Sequence, residues 1–141
     1  MEFDILRTLL GGFLASVASF IVLGALYGNP PVKKIYEDAE GSPALKKWES
    51  NPKYIFMQYV GMLIQCLLWA FVFAFVRDAL PAGSLCAGLV FGLIIMAMKI
   101  FPRLFDMWIQ TYYPGKLLAT EFINGSIGGF VVGIVLAYVI R

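Results

Sequence analysis

Four stretches of apolar residues, at roughly 8–28, 54–76, 82–101 and 117–140, alternate with shorter polar segments along the 141-residue chain. Each approaches or reaches the ~20 residues that a helix needs to cross a hydrocarbon core. The pattern therefore predicts an all-α, polytopic membrane protein with four transmembrane helices. The largest segment outside them runs only from Asn29 to Lys53, so a single membrane domain over residues 1–141 is expected, with no separate soluble unit.

Polar and conformationally restricted residues punctuate the runs. Tyr27-Gly28-Asn29-Pro30-Pro31 supplies a Gly and then two residues that cannot continue a helix, which ends the first span. Ser42-Pro43 and Asn51-Pro52 each place a capping side chain before a Pro suited to the first helical position. The spacing predicts a short interfacial helix near Pro43 to Ser50, inside the loop 29–53, and a second span starting at Pro52. Trp48, Lys46 and Lys47 suit that helix to the headgroup level. Pro102 closes the third run; lacking an N–H, it frees the carbonyl of Met98 and predicts a kink beside Lys99.

Composition strengthens the membrane reading: 60% of residues are hydrophobic and 14% charged, against about a quarter charged in soluble domains. A net charge of +2 gives no electrostatic footprint for nucleic acid. The first and third loops hold Lys33, Lys34, Lys46, Lys47, Lys53, Lys99, Arg103 and Lys116, whereas Arg7, Arg77 and Arg141 fall on the other side. The positive-inside rule then makes the two longer loops cytoplasmic and puts both termini, with the tight turn Asp78-Ala79-Leu80-Pro81, on the far side. Two antiparallel hairpins follow. The first run is too long for a signal-peptide core and follows the acidic start Met1-Glu2-Phe3-Asp4, so it is expected to be retained. A shift of 63 residues lays Gln58-Tyr59-Val60 on Glu121-Phe122-Ile123, and a shift of 71 lays Pro31-Val32-Lys33 on Pro102-Arg103-Leu104, as a parallel internal repeat of the hairpin would.

The segments Gly24-Ala25-Leu26-Tyr27-Gly28-Asn29-Pro30 and Tyr113-Pro114-Gly115-Lys116-Leu117-Leu118, the latter followed by Phe122-Ile123-Asn124, resemble an uncharacterised bacterial domain-of-unknown-function family of small four-helix membrane proteins. That family shows a Gly-Ala-Leu-Trp-Tyr-x-Pro element after its first helix and an Asn near the start of its fourth. The chain departs from it in lacking the Trp before Tyr27 and in a longer, more charged first loop. The resemblance implies architecture only, with no activity to carry over; the bacterial inner (plasma) membrane is the expected location.

The chain contains no His, which removes imidazole zinc sites, bis-His haem ligation, Ser-His chemistry and the commonest general base. Cys66 and Cys86 stand alone in apolar runs and read as small buried hydrophobes rather than redox or metal groups. No cofactor, metal or catalytic residue is indicated, and an enzyme is not expected. What remains is the set of polar residues in or beside the spans. Lys99, Arg103, Asp106 and Gln110 are spaced 4, 3 and 4 apart and share one helical stripe. Gln58 and Gln65 lie on the second span, Glu121 and Asn124 at the start of the fourth.

An unpaired charge at membrane depth costs ~2 to 3 kcal/mol on insertion scales, so Lys99 is expected to meet Glu121, with Asn124 and Gln58 completing a polar wall and Arg103 and Gln65 nearby. On that reading the cluster binds a small polar or anionic solute or a lipid headgroup. The competing reading is a structural or accessory membrane subunit without a ligand, in which Lys99 and Arg103 snorkel to the headgroups and the glutamines hold helices together. Gly88 and Gly92, the series Gly125, Gly129 and Gly133, and the pairs Gly12 with Ser16 and Ala15 with Ser19 offer close-packing surfaces. Four short helices enclose little interior, so a homo-oligomer, a dimer first, is the expected route to a shared cavity, with the lipid bilayer as the other partner.

Overall fold

A computed structural model describes residues 4–140; Met1 to Phe3 of the acidic start and Arg141, both used in the topology argument, lie outside the described residues. Helix α1 spans Ile5–Tyr27 and begins at Asp4, whose carboxylate accepts the Arg7 N–H at 3.0 Å, satisfying one of the orphan donors of a helix start. It ends at Gly28, as the sequence predicts. Pro30 and Pro31 then do more than stop it: they occupy the first positions of α2, Pro30–Asp38, where a missing N–H costs nothing.

The helix expected over Pro43 to Ser50 does not form; the stretch is turn and irregular backbone, and α2 is the short extra helix instead. The Ser42 hydroxyl accepts the Ala44 N–H at 3.3 Å, a local bond that competes with helix propagation. Trp48 stays outside the helices, with the Lys46 ammonium 4.7 Å from its ring and Tyr54 at 5.7 Å.

Helix α3, Asn51–Val76, runs into a single 3-10 turn, Arg77–Ala79. Gly83 at φ +92° turns the chain into α4, Ser84–Ile95. Pro102 does not break the third run. The predicted kink takes the form of a π-helical turn, Met96–Ile100, that leads directly into α5, Phe101–Gln110. The Phe101 N–H bonds the Met96 carbonyl, the wider i to i+5 winding, which accommodates the donor that Pro102 lacks. Helix α6 spans Gly115–Val139.

Four continuous helical segments, Ile5–Tyr27, Asn51–Ala79, Ser84–Gln110 and Gly115–Val139, are long and apolar enough to cross a membrane. The chain is a small all-α membrane protein. Helix α1 packs antiparallel against α3, and α4 against α6, so the two predicted hairpins form; α1 against α6 joins them. The glycine strips explain the closeness of α4 and α6. A Cβ added at Gly88 would stand 2.7 Å from the Ile134 Cα, and one at Gly92 2.9 Å from the Phe130 Cα, which only glycine tolerates. On α1, a Cβ at Gly12 would stand 2.9 Å from the Leu67 Cα of α3.

Consecutive helices α3 and α4 share no extended backbone contact. Large side chains span the interval instead: Phe73 of α3 meets Phe91 of α4 edge to face, with ring centroids 5.0 Å apart, and Trp69 approaches the same ring at 6.0 Å. Cys66 lies buried beside them, as expected, whereas Cys86 is exposed on the outer side of α4. Its position in the run did not reveal which way it faces, because α4 is apolar all round.

Candidate functional site

The polar residues that the sequence assigns to one cluster fall into two groups. Lys99 and Glu121 do not meet. Lys99 sits on the π turn and its ammonium donates to the Gln65 side-chain oxygen, across the interval between α4 and α3. Glu121 is occupied elsewhere: the Tyr27 hydroxyl donates to one carboxylate oxygen at 3.1 Å and the Tyr36 hydroxyl donates to the other. The physical reason is the α3 to α4 interval. Lys99 can reach across it to a partner on α3, while Glu121 faces α1 and the overlying α2.

Gln65 stands at the middle of its span and is exposed, Lys99 is half-buried, and Met98 beside it is 71% exposed. This pair therefore lies toward the outer, lateral surface of the helices. The amide is neutral, so among the described residues the charge of Lys99 has a hydrogen-bond partner and no ion-pair partner.

The second group sits where α1, α2 and α6 converge. Tyr27 and Tyr36 pack edge to face at 5.9 Å, and Tyr113, from the connection before α6, interacts with the Tyr36 hydroxyl. Burial first, then the Glu121 hydrogen bond and charge, push the Tyr36 hydroxyl well above its ordinary value, and burial with the Glu121 charge raises Tyr113. Both remain neutral at physiological pH. Exposed Arg103 acts on Tyr113 in the opposite sense. One turn along α6, Asn124 is 4% exposed and its amide nitrogen has no hydrogen-bond partner. Gln58 belongs to neither group, since its amide donates to Tyr54 at 2.8 Å on the exposed start of α3.

Tyr27, Tyr36 and Tyr113 are the residues that sequence reasoning missed. Tyr36 lies within a charged loop with no span periodicity, and only the return of α2 over α6 brings it to Glu121. Two open concavities lie elsewhere, one of about 550 Å³ bounded by Arg7, Arg77, Asp78, Leu80 and Ala82, the other of about 400 Å³ between the end of α2 and the start of α6. Neither is bounded by Lys99 or Glu121, and the two charges have separate partners.

Comparison of the chain with family models, curated proteins and solved structures finds no match. The likeness carried by Gly24 to Pro30 and Tyr113 to Asn124 stays a resemblance of short motifs.

Proposed function

We propose that this membrane protein is a binding module that receives an acidic group from within the bilayer at Lys99 and Gln65. The observation that carries the reading is a lysine in an apolar span, beside exposed residues, whose one hydrogen-bond partner among the described residues is a neutral amide. A charge so placed costs roughly 2.5 to 3.5 kcal/mol near a span centre on insertion scales, and an incoming phosphate or carboxylate removes that cost. Such a group approaches from the exposed side of Gln65 and Met98, beyond the Phe73 to Phe91 contact that fills the interval between α3 and α4. A π turn carrying the lysine fits a binding role, since these insertions are frequent at functional sites.

A lipid headgroup or a fatty carboxylate fits best. The accessory-subunit reading keeps one supporting observation, the tyrosine-paired Glu121, which joins helices without a ligand.

The test is native mass spectrometry of protein extracted in mild detergent and offered anionic or zwitterionic lipid. Wild type is expected to retain anionic lipid, Lys99→Met to lose it, and Gln65→Leu to retain less. Equal lipid profiles for wild type and Lys99→Met would sink the proposal.

A further inference from the structure

The larger of the two open concavities lies at the end of the bundle away from the lysine-bearing loops, where α1 begins and α3 ends. It is bounded by Arg7 on the first turn of α1, by Arg77 and Asp78 in the 3-10 turn after α3, and by Leu80 and Ala82 on the way to α4. The two guanidiniums are far apart in sequence, and the packing of α1 against α3 brings them to one hollow.

They are held differently. Arg77 is half-buried and fixed in place: its Nη1 donates to the Ile140 carbonyl at the end of α6, at 3.3 Å, and its Nε stands 3.6 Å from the Asp78 carboxylate. Arg7 is exposed, and its backbone N–H is engaged by the Asp4 carboxylate. The Arg7 guanidinium itself has no hydrogen-bond or ion-pair partner among the described residues.

The sign of a ligand follows from these groups. Asp78 is the one carboxylate on the boundary, and it already faces Arg77, while Asp4 caps α1. Two guanidiniums against one carboxylate leave the hollow net positive, so it attracts an anion. The planar fork of a guanidinium matches the oxygens of phosphate, which such a pair recognises from two directions. A volume of about 550 Å³ suits a small molecule. The hollow opens at the bundle end and not on the lateral surface, so a ligand reaches it from water.

We propose that this concavity binds a phosphate-bearing anion, with Arg77 as the fixed donor and Arg7 as the side chain recruited to the ligand. The site shares no residue with the Lys99 and Gln65 pair and does not depend on it.

The experiment measures the thermal midpoint of the full chain in a neutral detergent at constant ionic strength, with chloride replaced stepwise by inorganic phosphate. Binding to the folded state alone raises the midpoint with the logarithm of ligand concentration above the dissociation constant. Wild type and Lys99→Met are both expected to show the same saturable rise. Arg7→Gln should raise the half-saturating concentration about tenfold, as the loss of one charge-assisted contact does. Arg7→Lys should raise it less, since the ammonium keeps the charge and loses the fork. Arg77→Gln should also lower the midpoint in chloride, through the lost Ile140 bond, which leaves Arg7→Gln as the decisive variant. A parallel series with phosphatidylglycerol on the Lys99→Met protein distinguishes the sources: a response to the lipid alone assigns the same phosphate chemistry to a headgroup. No response to either probe would overturn the proposal. So would an equal rise in wild type and Arg7→Gln, which exclusion of phosphate from the protein surface gives by itself, or a response that Lys99→Met abolishes.

Discussion

Individual glycines show how local space decides the effect of a single methyl. Gly133 and Gly61 are both interior helix glycines, and in an isolated helix alanine would stabilise either by roughly 0.5–1 kcal/mol. The neighbours reverse this for one of them. A Cβ at Gly133 would stand 2.8 Å from the Gly92 nitrogen, whereas at Gly61 it meets nothing within 4 Å. Gly133→Ala should lower stability by about 1–3 kcal/mol through overpacking, and Gly61→Ala should be neutral or slightly stabilising. Thermal unfolding of both variants in the same detergent checks the contrast; equal effects would mean that α4 and α6 are not in close contact. The Gly129 position is intermediate, since its Cβ would stand 3.2 Å from Ile95, a side chain able to shift.

At the scale of elements, α2 depends on one side chain. It has no buried residue, and the hydroxyl of half-buried Tyr36 ties it to α6. Tyr36→Phe should therefore free α2 with little effect on the spans, visible as faster amide exchange over residues 30–38 and unchanged exchange in α6. The same bond has an alkaline signature. A tyrosine held neutral by burial and by Glu121 has a folded value raised above that of the unfolded chain, near 10. Its stabilising contribution is complete below that value and declines as pH rises beyond it, because the unfolded chain ionises first. Tyr36→Phe should then flatten part of the stability loss between about pH 10 and 11, with Glu121, Tyr27 and Tyr113 as the groups facing the hydroxyl. An identical alkaline limb in the two proteins would show that the hydroxyl is not held there.

The whole molecule raises two questions that single elements do not answer. Orientation is the first: with the basic residues on the two longer loops, single cysteines at Glu40 and Pro114 in a background lacking Cys66 and Cys86 should be labelled from the cytoplasmic side, and one at Ala82 from the other. The reverse pattern would invert the topology. Coupling between the two polar groups is the second. Lys99 and Glu121 have separate partners, so the double-mutant cycle of Lys99→Met with Glu121→Gln should be additive within about 0.5 kcal/mol. Lys99→Met with Gln65→Leu should instead couple, because each removes the other's partner. A large Lys99–Glu121 coupling energy would restore the single pocket.

Span number, helical class and the small-residue strips were legible in the sequence because the bilayer imposes them on each segment alone: a run must be about 20 residues long, internally hydrogen-bonded and able to pack closely. The stop after Tyr27 was equally local, set by Gly28 and the two prolines. The sites were not local. In sequence Lys99 closes the third apolar run and Glu121 opens the fourth, and charge alone pairs them. Their partners instead follow from which helices touch: α1 beside α6 gives Glu121 its Tyr27, the fold of α2 over that junction adds Tyr36, and the interval between α3 and α4 leaves Lys99 to reach Gln65. A sequence fixes how far each polar group lies along its helix. Which face of which neighbour it meets is set by helix packing and by the one-residue widening of the π turn, and only the tertiary structure decides those.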